Sequence, residues 1–162
     1  MCIRDRLYQL GKDCDIYGDS TQACAAYQQS LAQGGSTSAY AHDLLVRSLH
    51  CLGQCARVDE ALALAEQHLA DWQDSPDFFF ALGNLFLDKA QQQPEQALTQ
   101  WLPMAETAWV RCLEIGERPE LTGAVAGRGS YLAAHNLAVI LDGTGNTEQA
   151  AHYRQLAAQR TP

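Results

Sequence analysis

The amino-acid sequence predicts an all-α fold, a right-handed α-α superhelix of four helical hairpins. Ala (25) and Leu (21) residues outnumber Val (5) and Ile (4) residues about fivefold. Alanine and leucine favour helices, whereas the β-branched residues that favour strands are scarce. Apolar residues also recur at helical spacing, and one junction pattern is repeated along the chain. A substantial β-sheet is therefore not expected.

The first six residues do not match the rest of the chain. Residues 1–6 read MCIRDR, which lacks the apolar run of a signal peptide and the character of a transit segment. The segment resembles the in-frame translation of a sequencing adapter. We therefore expect residues 1–6 to be a scar and the natural protein to continue upstream of Leu7. The alternative is that Met1 is the genuine start.

A helix-end signal followed by a helix-start signal marks the junctions. The segment GDSTQA at 18–23 is echoed by GNTEQA at 145–150, and ARVDEA at 56–61 is a weaker copy. Glycine ends helices in the left-handed conformation, and Asp, Asn, Ser or Thr caps the next helix. Apolar stripes at helical spacing include Leu7, Leu10, Cys14; Leu45, Leu49, Leu52; Phe79, Leu82, Phe86; and Ala134, Leu137, Leu141.

This pattern resembles the tetratricopeptide repeat (TPR), a helix-turn-helix unit of about 34 residues. The Leu-Gly pair of the family is present as Leu10-Gly11 and Leu82-Gly83, whereas Ser48-Leu49 departs from it. The small residue of the second helix falls on Ala23, Ala61, Ala105 and Ala150. Four residues later stand Tyr27, Ala65, Trp109 and Arg154. The resemblance implies that small residues let the two helices of each unit approach closely.

We expect one repeat domain at 7–160, with units at about 7–35, 42–73, 76–116 and 130–160. The third unit carries an insertion at 90–102. Pro94 and Pro103 each suit a first helical turn, which predicts a short helix at 94–101 and another at 103–115. The alternative is one helix that starts at Glu95 and is kinked at Pro103. Residues 117–129 form a glycine-rich loop.

Residues 105–141 carry a narrower resemblance. The sequence WVRCLEIGE at 109–117, the glycine-rich loop and GSYLAAHNL at 129–137 resemble the repeat region that follows the catalytic domain in certain bacterial family 2 glycosyltransferases. The resemblance implies that this chain is the carboxy-terminal helical part of such an enzyme, without its catalytic carboxylate motif. The alternative is a free-standing TPR adaptor that binds a peptide segment of a partner protein.

No residue pattern indicates catalysis, a cofactor or a metal. The five histidines form no HExxH motif, and beyond Cys2 the cysteines Cys14, Cys24, Cys51, Cys55 and Cys112 form no CxxC pair. The segment Gly123–Ser130 lacks the lysine of a phosphate-binding loop. Cys24 stands where a calcium loop beginning at Asp13 requires glutamate. We therefore expect a non-enzymatic protein with buried free thiols in a reducing cytoplasm.

Charge and the family resemblance together suggest the kind of partner. A net charge of −8 disfavours nucleic acid and anionic membranes. The groove positions of the TPR family map onto Tyr8, Lys12, Asp15, His50, Gln54, Phe80, Asn84, Asp88, His135, Val139 and Asp142. The expected partner is a neutral or mildly basic peptide, or the protein's own missing amino-terminal domain. The uncapped first helix also suggests self-association.

Overall fold

The computed structural model describes residues 1–159, and its regular elements are helices, without a β-strand in that range. The all-α prediction is confirmed. The expected domain end at residue 160 lies outside the described residues. The helices are α1 Ile3–Ile16, α2 Ser20–Ala32, α3 Ala41–Gln54, α4 Val58–His68, α5 Pro76–Gln92, α6 Pro94–Gln96, α7 Leu102–Ile115, α8 Tyr131–Gly143 and α9 Thr147–Ala158.

The first helix starts earlier than the sequence suggested. Helix α1 begins at Ile3 rather than at Leu7, so residues 3–6 are helical. The carbonyl oxygen of Arg4 accepts a hydrogen bond from Ser30 Oγ at 2.9 Å, and the Asp5 carboxylate accepts one from Tyr40. Residues Arg4 and Asp5 are therefore packed against α2 and the start of α3.

Local signals set the junctions between helices. The Asp19 carboxylate accepts a hydrogen bond from the backbone N–H of Gln22 and so caps α2. Ser75 caps α5 in the same way, through the N–H of Phe78, and Pro76 occupies the first helical position. In the middle junction, Ala56 adopts a positive φ of 59°, which the corresponding glycines in the other junctions adopt without steric cost.

Residues 1–71 together with 121–123 form the first of two compact units. Helix α1 pairs with α2, and α3 pairs with α4. Tyr27 is fully buried, and its ring lies directly over Gly11, where a Cβ atom would come within 2.3 Å of the ring. Small and apolar residues fill the rest of this core, among them Cys14, Ala23, Cys24, Leu44, Leu49, Leu52 and Ala61.

The second unit comprises residues 72–120 and the chain from 124 onward. Helix α5 pairs with α7, and α8 pairs with α9. Trp109 lies over Gly83 just as Tyr27 lies over Gly11, with a Cβ at Gly83 coming within 2.2 Å of the indole. The core cluster contains Ala105, Trp109, Cys112, Ala133, Leu137 and Ile140, and Phe79, Phe80, Phe86 and Tyr153 pack around it.

The insertion in the third hairpin is helical without a break. Helix α6 runs into a π-helical turn at Ala97–Trp101, and α7 follows directly from Leu102. This differs from the expected pair of helices at 94–101 and 103–115. The wider turn accommodates Pro103, which has no N–H to donate, within the first turn of α7. Trp101 is fixed there by a hydrogen bond from its Nε1 to Gln93 Oε1 at 3.0 Å.

Across residues 1–159, the helices are too short or too polar to cross a bilayer.

Candidate functional site

The predicted groove residues of the first unit lie on α1 and α3. Tyr8 stacks on Tyr40 with ring centroids 4.1 Å apart and an interplanar angle of 7°. The Lys12 ammonium lies 5.3 Å from the centroid of the Tyr8 ring, a cation-π contact. Because the stack is held between two helices, it presents a rigid, half-buried aromatic surface beside a positive charge.

A polar network continues from this stack along α3. The Tyr8 hydroxyl donates to Asp43, and Arg47 Nε donates to the same carboxylate at 2.8 Å. Arg47 Nη1 also lies 3.5 Å from Asp15 Oδ2. The Arg47 guanidinium therefore bridges a carboxylate of α1 and one of α3. Asp43 and Arg47 are absent from the predicted site, although their spacing of four residues on a helix is a signal for such a pair.

Asp15 is the second centre of this network. Its carboxylate accepts hydrogen bonds from the Tyr27 hydroxyl and from Cys51 Sγ, the latter at 3.1 Å. Burial raises the pKa of Tyr27 above its ordinary value, and the hydrogen bond to Asp15 raises it further. Burial and the hydrogen bond to Asp43 do the same for the pKa of Tyr8. Both phenols are therefore neutral donors that hold the two carboxylates in place.

Three of the predicted residues meet in one surface depression. Asp15, His50 and Gln54 line it together with Gly18, Ser20 and Arg47, and its volume is about 470 Å³. His50 and Gln54 are exposed, and Gln54 Oε1 accepts a hydrogen bond from Ser20 Oγ at 2.8 Å. The depression thus offers charged, imidazole and amide groups within one unit, and Arg47 and Asp43 connect it to the Tyr8 hydroxyl.

The remaining predicted residues belong to the second unit. On α5, Phe80, Asn84 and Asp88 are half-buried. The Phe80 ring faces the Arg128 guanidinium at 5.5 Å, and its carbonyl oxygen accepts from Trp109 Nε1 at 3.4 Å. On α8, His135 and Val139 are exposed, and Asp142 forms an ion pair with Arg154. Phe80 and Asp142 thus contact different partners, so the first unit supplies the better defined site.

The glycine-rich loop is held by two carboxylates. The Glu117 side chain accepts hydrogen bonds from the Gly127 N–H at 2.7 Å and from Ser130 Oγ at 2.6 Å. Asp77, whose side chain is 1% exposed, accepts from the Val125 N–H at 3.0 Å and from Arg128 Nη1 at 2.9 Å. Backbone donors that would face a phosphate in a nucleotide-binding loop are thus directed at carboxylates of the chain itself.

Residues 121–123 of the same loop belong to the first unit. Thr122 Oγ1 donates to the Ala39 carbonyl at 2.9 Å, and the Thr122 carbonyl lies 2.7 Å from Nδ1 of the buried His42. Gly123 adopts a φ of 72°, and a Cβ atom there would come within 2.0 Å of the Asp43 carboxylate. No local sequence signal identifies these contacts, because the partners are some 80 residues apart.

All six cysteines are unbridged, and Cys14, Cys24, Cys51 and Cys112 are buried. Among residues 1–159, His, Cys, Asp and Glu side chains do not form a cluster of three that could hold a metal ion.

Known proteins resemble the chain in fold only. No protein-family model matches the sequence, and no curated protein matches it significantly. Among solved structures, the fold is similar to that in the crystal structure of MamA, a TPR-containing protein, with a TM-score of 0.69 and 13% sequence identity. The match covers 96% of this chain and 77% of that chain. The likeness confirms a TPR-like, all-α fold.

Proposed function

We propose that this chain is a non-catalytic protein-interaction module that binds a peptide segment of a partner protein on the α1–α3 face of its first unit. The TPR-like fold supports a scaffold role, because repeat proteins of this type bind partners on the surface that their first helices line. The face in question consists of the Tyr8–Tyr40 stack, the Arg47 network and the depression beside His50.

The convergence of Asp15, His50 and Gln54 on one depression carries this proposal. The surrounding side chains are already fixed by hydrogen bonds and ion pairs, so little conformational entropy is lost when a ligand binds. The aromatic stack offers apolar contact area, and the exposed imidazole and amide offer hydrogen bonds. A chain with a net charge of −8 attracts neutral or basic peptides more strongly than acidic ones.

A peptide array tests this function. Short peptides graded from acidic to basic are probed with the full chain, and the best binders are then measured in solution. We expect neutral or basic peptides to bind. The double variant His50→Ala, Gln54→Ala should weaken binding about tenfold, which corresponds to a loss of about 1.4 kcal/mol of binding free energy.

The second unit offers a matched control. His152 and Gln155 are exposed on α9, so His152→Ala with Gln155→Ala removes the same side-chain types elsewhere. This pair should leave peptide affinity unchanged. Equal loss of binding in both double variants, or binding of acidic peptides alone, contradicts the proposed surface.

The sequence alone supports a more specific proposal about the protein to which this module belongs. The pattern at 105–141 supports the view that the module is the carboxy-terminal part of a TPR-containing glycosyltransferase, whose own catalytic domain is then a candidate partner. The alternative is a free-standing cytoplasmic adaptor. Sequencing of the intact genomic locus distinguishes the two, since a strand-rich domain with an Asp-x-Asp pair in the same frame supports the enzyme and a nearby start codon supports the adaptor.

A further inference from the structure

A three-residue segment of the glycine-rich loop is attached to the start of α3. Residues 121–123 belong to the first unit, and we call them the strap. The Thr122 hydroxyl donates to the Ala39 carbonyl oxygen at 2.9 Å, and Nδ1 of the buried His42 lies 2.7 Å from the Thr122 carbonyl oxygen. These two attachment points lie on either side of Tyr40 in the sequence. The strap therefore holds the backbone that carries one member of the aromatic stack.

The strap also packs against the carboxylate that holds the other member of the stack. Asp43 is buried, and its Oδ2 accepts hydrogen bonds from the Tyr8 hydroxyl and from Arg47 Nε. Its Oδ1 faces Gly123, where a Cβ atom would come within 2.0 Å of that oxygen. The Asp43 carboxylate thus lies between the strap on one side and two donors of the binding face on the other. Its orientation depends on all three neighbours.

Glycine is required at position 123 for two reasons. Gly123 has a φ of 72°, in the left-handed region that residues with a side chain rarely adopt. A Cβ atom there would also lie 2.6 Å from the Asp43 Cβ, which is closer than two non-bonded carbon atoms approach. Because rotation of the carboxylate leaves the Asp43 Cβ in place, only a shift of the strap or of the start of α3 relieves this overlap. Either shift removes the contact that fixes the Asp43 carboxylate.

We propose that the strap regulates the peptide-binding face, with Thr122 and Gly123 as positioning residues. When the strap is closed, it holds Tyr40 directly and Tyr8 through Asp43. When it is released, the Asp43 carboxylate is free to turn and the stack loosens. Peptide affinity is then reduced in proportion to the fraction of molecules in which the strap is closed. This inference rests on the proposed function, because the strap acts on the same face.

Ring-proton chemical shifts of Tyr8 and Tyr40 test the strap without any peptide. Two rings stacked with centroids 4.1 Å apart shield each other, so their proton resonances lie upfield of those of free tyrosine. Gly123→Ala in the full chain should move these resonances toward the free values, because the new Cβ displaces the strap from Asp43. Gly34→Ala is the matched control. Gly34 has a φ of 84° in the same unit, but a Cβ atom there meets no atom within 4 Å.

A second set of variants tests the strap without straining the backbone. Thr122→Val removes the hydroxyl that donates to Ala39, and it should shift the same ring resonances in the same direction by a smaller amount. Thr122→Ser keeps the hydroxyl and should leave the resonances in place. Thr107→Val is the matched control, because Thr107 Oγ1 also donates to a carbonyl oxygen at 2.9 Å, that of Pro103. This control should leave the resonances in place as well.

Peptide affinity links the strap to function. The probe is the tightest-binding peptide of the array, titrated into each variant at a temperature where circular dichroism shows the chain to be folded. Gly123→Ala should weaken binding about tenfold, which corresponds to a closed strap in about one molecule in ten. Gly34→Ala and Thr122→Ser should bind as tightly as the unsubstituted chain.

Unchanged Tyr8 and Tyr40 resonances in folded Gly123→Ala and Thr122→Val chains would overturn the proposal, as would an equal change in Gly34→Ala. Resonances that move while peptide affinity stays the same would overturn it too. Absence of peptide binding by the unsubstituted chain is a different result. It contradicts the proposed function, and the ring resonances still decide whether the strap positions the stack.

Discussion

At the residue scale, each unit packs a buried aromatic ring directly on a helical glycine. Tyr27 covers Gly11, and Trp109 covers Gly83. The Leu-Gly pairs and the aromatic residues were both predicted from the sequence, because this packing depends on residue types at fixed spacing within one hairpin. This packing stabilises the hairpin because glycine has no Cβ atom, so the second helix can approach the first closely.

Gly83→Ala should destabilise the chain by about 1–3 kcal/mol, because the new Cβ would overlap the buried indole of Trp109. Chemical denaturation measures the free energy of unfolding. Gly143→Ala is the matched control, since a Cβ at this helical position meets no atom within 4 Å, and it should be neutral or slightly stabilising. Equal stability of both variants contradicts the packing described here.

The buried carboxylate of Asp77 depends on contacts that are distant in the sequence. Its partners are the Val125 N–H and Arg128, which lie about 50 residues further along the chain, so sequence patterns could not identify them. Asp15, by contrast, is a predicted site residue because the resemblance to the TPR family places it at a groove position. The family resemblance therefore identifies positions within one repeat, but not which distant loop folds onto the start of a helix.

Arg128→Met should cost about 3 kcal/mol of unfolding free energy, because it leaves the buried Asp77 charge without its cation. Adding Asp77→Asn should recover part of this loss, since it removes that charge. Arg154→Met breaks the exposed pair with Asp142 and should change stability by less than about 1 kcal/mol. A double variant that loses the sum of the two single losses would contradict a direct coupling.

At the element scale, helix boundaries follow local capping signals wherever these exist. Asp19 and Ser75 cap α2 and α5, and both starts could be expected from the sequence. The π-helical turn at Ala97–Trp101 could not, because it reconciles Pro103 with the contacts of Trp101 to α5 and Gln93. Such a compromise between local backbone and distant packing has no sequence signature of its own.

The junction between α3 and α4 gives an element-scale prediction. Ala56 holds a φ of 59°, a conformation that costs non-glycine residues roughly 1–2 kcal/mol. Ala56→Gly should therefore raise the free energy of unfolding by about 0.5–1 kcal/mol after the entropy cost of glycine. Ala63→Gly, in the interior of α4, should instead lower it by about 1 kcal/mol. A loss of stability in Ala56→Gly would show that this junction is unstrained.

At the scale of the whole molecule, two features act in opposite directions on self-association. They are the apolar side chains that remain exposed on and just after α1, and the net charge of the chain. Leu10, Ile16 and Tyr17 are 50%, 78% and 86% exposed. Apolar surface favours association between copies, while the net charge of −8 opposes it. Salt screens the repulsion without weakening the apolar contact.

We expect the average mass in sedimentation experiments to rise with protein concentration and to rise further at high salt. Leu10→Gln with Ile16→Gln should reduce this association. Val139→Gln, at a residue that is 57% exposed on α8, should not. A monodisperse monomer at every concentration and salt level would show that this surface does not drive self-association.

The central claim is that the α1–α3 face of the first unit binds peptide, and amide chemical shifts measured by NMR test it most directly. Titration with the best peptide of the array should shift the amides around Asp15, Arg47, His50 and Gln54, while those of α9 stay unchanged. Shifts confined to α8 and α9, or no shifts at saturating peptide, would contradict the assignment of this face as the binding surface.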